Sequence, residues 1–185
     1  GVEDFRARME RQKSRYFASD VVDQPIVVAE EDDLFELLNA NNYAKGGWVL
    51  HMLRGLIGDD AFIRGVREYY RRHAHDTAHT DDFRRAMEEV STRELGWFFD
   101  QWVYAPGYPV LRVGHRVVED EVIVRVEQAQ EDAWPTFRLP TVLEIHRADG
   151  EVTRHEVLLD ERVEELRLGL TAPPQRIVVD PDGWL

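Results

Sequence analysis

The chain has 185 residues, 43% of them hydrophobic, enough for one large core or two small ones. Its 23 Lys and Arg stand against 36 Asp and Glu, a net charge of −13, and a surface this acidic argues against nucleic acid and against anionic membranes as partners. Cys is absent, which excludes disulfides, thiolate nucleophiles and Cys-held zinc or iron–sulfur sites. No apolar run approaches the roughly 18 residues of a membrane helix. The polar opening Gly1-Val2-Glu3-Asp4-Phe5 is no signal peptide. The chain does not begin with Met, so the expectation is an excised or processed piece, or a tag residue at Gly1.

In chain order, residues 3–18 read as an amphipathic helix with Phe5, Met9, Tyr16 and Phe17 on its apolar side. Pro25 to Val28 is a short extended piece. The acidic run Glu30-Glu31-Asp32-Asp33 faces the N-terminal dipole of a short helix expected over Leu34–Leu38. Paired carboxylates also serve glycosidases, but a like-charge run reads here as a solvated cap.

Asn41 and Asn42 read as N-caps of a helix running from Tyr43 to about Ile57, closed by Gly58. Gly46 and Gly47 lie in its first turns, each costing roughly 1 kcal/mol against Ala. Their tolerance implies packing too close for a side chain. Tyr43, one turn earlier, stands at the helix mouth, where a phenol can point outward.

Asp59-Asp60 start a further helix with Phe62, Val66, Tyr69 and Tyr70 on its buried side. His73, His75 and His79 then fall within seven residues, in a segment that reads as a loop. Their spacing matches no established metal-ligand pattern, which leaves a metal-binding use of the three as a minor alternative. Thr80-Asp81-Asp82 is an N-cap with two first-turn acids, and Phe83, Met87 and Val90 line the helix that follows. Leu95, Phe98, Phe99 and Trp102 form an i, i+3, i+4, i+7 core stripe, and Pro106-Gly107-Tyr108-Pro109 ends it.

Beyond residue 108 the pattern changes to short alternating runs. Strands are expected over 110–113, 122–126, 141–145, 151–159, 163–170 and 176–179. Turn signals separate them at Glu119-Asp120, Asp149-Gly150 and Pro173-Pro174. The expected fold is therefore α+β in two parts: helices over 1–107, then a small antiparallel β-sandwich over 108–185.

A search for chemistry finds no phosphate loop, no Gly-x-Ser-x-Gly elbow and no His-Glu-x-x-His zinc helix. The one His-Glu pair, His155-Glu156, sits in an expected strand without a second His.

Five blocks carry a resemblance: Tyr43-Ala44-Lys45-Gly46-Gly47 with Leu50 to Arg54; Gly58 to Phe62; Tyr69-Tyr70; Thr80 to Phe83; and Phe98-Phe99-Asp100-Gln101-Trp102 with Pro106 to Pro109. In this order and spacing they resemble the gluzincin zinc aminopeptidases, peptidase family M-one, of the aminopeptidase N type. The resemblance covers residues 1 to about 110, and the order of elements extends it through the β part. In that family a Gly-x-Met-Glu-Asn amine-binding loop and a two-His, one-Glu zinc site lie upstream of this element.

The resemblance thus implies the C-terminal part of a thermolysin-like domain followed by the family's β-sandwich. It implies a zinc-dependent parent that removes N-terminal residues from peptides, with zinc bound in the parent and none expected in this chain. The zinc-binding half would be the chain's partner, and the isolated chain would be inactive. It implies for Tyr43 the role of catalytic phenol, donating its O–H to the oxyanion formed at the peptide carbonyl. Lys45 and His51 read as structural, Lys45 snorkelling to solvent. A face left bare around Tyr43 and Gly46 would favour self-association. The rival reading is a non-catalytic helical-plus-sandwich interaction module.

Overall fold

The computed structural model describes residues 1–28, 32–33, 35–169 and 172–185. Its chain falls into two compact units, Gly1–Gly107 and Tyr108–Leu185.

The first unit is helical. Helix α1 spans Val2–Phe17. A π-helical turn, Asn41–Lys45, runs directly into α2, Gly46–Ile57. Then come α3 (Asp59–His73), α4 (Thr80–Ser91) and α5 (Gly96–Trp102). Gly58 separates α2 from α3 with φ +85°, a conformation that glycine adopts without a Cβ penalty, and its N–H donates to Arg54 O at 2.9 Å. His79, rather than Thr80, precedes α4, and its N–H donates to Asp82 Oδ2 at 3.0 Å.

The core stripe of α5 is as the spacing requires: Leu95, Phe98, Phe99 and Trp102 are all buried. Phe83 of α4 meets Phe99 edge-on, with ring centroids 6.3 Å apart, and Tyr69 of α3 meets Phe83 at 5.2 Å. The expected inner side of α3 is corrected. Val66 and Tyr70 are exposed, and the buried positions are Ala61 and Gly65. The reason is a close helix crossing: a Cβ on Gly65 would lie 2.4 Å from Met87 Sδ. Small residues let the two helices approach, and the bulky ones are turned outward.

The short helix expected over 34–38 does not form among the described residues. Residues 35–37 make a turn, with Glu36 N donating to Asp33 O and Phe35 N to Asp33 Oδ1. Glu30 and Glu31 of the expected acidic cap, and Leu34, lie outside the described residues. An aspartate that bonds the backbone two residues on favours a turn over a helix.

The second unit is a sandwich of two three-stranded antiparallel sheets, ordered β1-β2-β5 and β4-β3-β6. The strands are β1 Leu111–Val118, β2 Glu121–Gln128, β3 Leu139–Arg147, β4 Val152–Leu159, β5 Val163–Gly169 and β6 Pro174–Val179. Leu170, the expected end of the fifth strand, lies outside the described residues. Pro174, expected in a turn, instead opens β6. This is an edge strand in which a missing N–H is tolerated.

Register places Val113, His115 and Val117 opposite Val126, Val124 and Val122, and Leu143 opposite His155 and Val179. The central strands carry the core: Val122, Val124 and Val126 of β2, and Leu139, Leu143 and Ile145 of β3, are fully buried. The loop after β2 is tied by a buried amide pair. Gln128 Oε1 accepts from Phe137 N at 2.8 Å while its Nε2 donates to Phe137 O at 2.7 Å. Gln130 Nε2 donates to Gln128 Oε1 and Pro135 O.

Candidate functional site

The turn that carries Tyr43 starts from a cap two to three residues earlier than expected. Asn39 is the capping residue: its Oδ1 accepts from the N–H of Asn41 (2.8 Å) and of Asn42 (3.2 Å). Asn41 and Asn42 are not caps. Asn41 is buried at 1% exposure, and its Nδ2 donates to Gln24 O at 2.8 Å and Pro25 O at 2.6 Å. Asn42 Nδ2 donates to Leu37 O at 2.7 Å.

At the other end of the turn, Lys45 is buried at 4% exposure and does not snorkel to solvent. Its Nζ donates to Ala105 O at 3.2 Å and lies 5.7 Å from the centre of the Tyr16 ring. Burial pushes the ammonium down to about 8, because a cation loses water solvation there. The two segments these side chains hold are themselves joined. Ile26 N and Val27 N donate to Val103 O, and Gly107 N donates to Val22 O at 2.8 Å. The π-helical turn is thus braced against residues 22–27 on one side and 103–107 on the other.

Between these anchors Tyr43 faces outward, 61% exposed. On a helix, residues four apart share a face and the residue midway points away from it. Burying Asn41 and Lys45 therefore turns Tyr43 to solvent. Gly46 N–H reaches back to the carbonyls of Asn41 and Tyr43, which closes the wider π turn.

The close-packing expectation for the two glycines is overturned. A Cβ on Gly46 would have only Asn41 O at 3.9 Å, and one on Gly47 would meet nothing within 4 Å. Among the described residues nothing covers the face Tyr43, Gly47, Leu50, and Leu50 is 44% exposed.

His51 packs between Phe5 and Trp48, with ring centroids at 5.5 and 5.3 Å. His73 ends α3, His75 takes a positive φ of 68°, and His79 precedes α4. Among the described residues no three His, Asp or Glu side chains come together to hold a metal ion. The three histidines therefore do not form a centre. Sequence reasoning missed Asn39, Asn41 and Lys45 as the fixtures of the turn. The roles of Asn41 and Lys45 depend on carbonyls 16 to 60 residues away in the chain, while Asn39 caps locally.

Comparison with known proteins follows the helical unit. The profile of the peptidase family M1 domain matches residues 2–102. Aminopeptidase N of Lactococcus lactis subsp. lactis is 36% identical over 102 residues, covering 55% of this chain and 12% of that protein. Glutamyl aminopeptidase of Bitis rhinoceros is 37% identical over 86 residues, 46% of this chain and 9% of that protein. The chain thus spans about an eighth or less of the length of these relatives. The crystal structure of Legionella pneumophila aminopeptidase A in complex with aspartic acid matches with a TM-score of 0.69 at 16% identity. That match covers 84% of this chain and 18% of the other, and supports the fold. With more than half its length matched by the family profile, the chain belongs to peptidase family M1.

Proposed function

We propose that the chain is a part of a zinc-dependent aminopeptidase that hydrolyses N-terminal residues from peptides, and that Tyr43 is its catalytic residue here. In this reading residues 1–107 form the C-terminal part of the thermolysin-like domain and 108–185 the following β-sandwich. Zinc does not fit the residues described: they bring together no ligand set. The ion would be held by the zinc-bearing segment of the parent.

The single observation that carries the reading is Tyr43, an exposed phenol on a turn whose flanking side chains are buried and hydrogen-bonded. A neutral phenol O–H held in place can donate to the oxyanion that develops when a peptide carbonyl is attacked. Losing one such preorganised donor costs roughly 3–4 kcal/mol of transition-state stabilisation. In the protein that carries the zinc site, Tyr43→Phe should therefore lower kcat about 100-fold or more with little change in KM. An unchanged kcat would sink the assignment and favour the rival reading, a non-catalytic module.

A further inference from the structure

We infer that Asn41 and Lys45 are positioning residues, which clamp the π-helical turn at both ends so that Tyr43 is presented as a fixed, outward-facing group. This rests on the reading of Tyr43 as the donor. Three observations converge on it.

First, both side chains are almost fully buried although both are polar, and each spends its donors on backbone carbonyls remote in sequence. Burying a polar side chain is unfavourable unless it is hydrogen-bonded, so these contacts hold the turn rather than merely accompany it. Among the described residues Asn41 grips through its amide nitrogen alone, since its buried Oδ1 has no hydrogen-bond partner there. Second, the two carbonyl-bearing segments are bonded to each other through Val22, Ile26, Val27, Val103 and Gly107. The clamp therefore closes on a braced support and not on free loops. Third, the helix between them is a π turn. Single π turns are rare and recur at functional sites. Here the turn is what connects the capping residue Asn39 to α2 while keeping both anchors inward.

A donor contributes to catalysis only if it already stands where charge develops. Tyr43 is mostly exposed, so its own packing does little to fix it. Its backbone must do so, and Asn41 and Lys45 fix that backbone.

The test is amide hydrogen exchange on the whole 185-residue chain. The amides of Tyr43 and Gly46, both hydrogen-bonded within the turn, should exchange about as slowly as Phe99 N in the core. In Asn41→Ala and in Lys45→Met they should exchange at least about tenfold faster, with Phe99 and Thr92 N in the adjoining helices unchanged. Equal acceleration everywhere, or none at the turn, would overturn the clamp. Should either variant fail to fold, the wild type still decides. Turn amides exchanging as fast as the exposed first turn of α1 would overturn the clamp.

The catalytic arm uses the protein with its zinc site. Lys45→Met should lower kcat about a hundredfold at unchanged KM, the cost of a slightly misplaced group. A silent Tyr43→Phe with accelerated exchange in the variants would overturn the donor and leave the clamp standing. A damaging Tyr43→Phe with unaltered exchange would overturn the clamp and leave the donor.

Discussion

Lys45 makes the clearest statement at the residue scale. Buried, it titrates near 8 in the folded chain, while an unfolded lysine keeps its proton to about 10.5. Between these values the unfolded chain binds the extra proton, so stability rises with pH through that window and the penalty is complete below it. The difference corresponds to roughly 3 kcal/mol. Denaturant titrations from pH 7.5 to 10.5 should show this rise in the wild type and lose it in Lys45→Met. A parallel rise in both would mean that Lys45 is not its source.

Two glycines give opposite expectations for one substitution. At Gly47 a Cβ meets nothing, so Gly47→Ala should stabilise this chain by about 0.5–1 kcal/mol through helix propensity. At Gly65 the new methyl would strike fully buried Met87 and come within 3.1 Å of Val90 Cγ2. Overpacking of that kind costs about 1–3 kcal/mol, which outweighs the propensity gain. Gly65→Ala should lower the denaturant midpoint and Gly47→Ala raise it. Matching shifts would contradict the packing described for α3 and α4.

At the scale of elements, periodicity read the long pieces well. α5 and the central strands are where the apolar spacing puts them, because a buried stripe must repeat with its own backbone, whereas α1 forms as expected but leaves Phe5 and Phe17 of its apolar side exposed and buries Tyr16. Periodicity failed where local chemistry competes. Asp33 made a turn where a helix was expected. Asn39 took the capping role from its two neighbours. Three asparagines in four positions offer three possible starts, and the choice depends on which of them finds carbonyls across the fold. The Arg72–Glu89 pair joins α3 to α4, while within α3 Glu68 is paired with Arg71 and Arg72. They hold Glu68 down near 2 by side-chain hydrogen bonds, yet exposed pairs of this kind add little stability.

For the molecule as a whole, the open face is the feature with a consequence. Tyr43 and Leu50 flank a glycine with nothing above it. Exposed apolar surface of this kind favours contact with another protein surface. In the proposed parent that surface would belong to the zinc-bearing segment. Alone, the chain should self-associate through it. Sedimentation velocity should show a concentration-dependent dimer, reversed by Leu50→Glu. A strictly monomeric wild type would overturn this.

The sequence by itself determined the α+β order of elements, the core stripes and the family resemblance, since these depend on residue types and spacing along one chain. Its blocks from Tyr43 to Gly47 and from Phe98 to Trp102 were enough to identify the family. Only the tertiary structure decided how Tyr43 is held. The fixtures are Gln24, Pro25 and Ala105 carbonyls, which any residue type supplies and which therefore leave no mark in the sequence. The same holds for the glycines: whether a missing side chain means close approach depends on what lies opposite. At Gly65 that is Met87, and at Gly47 it is open space.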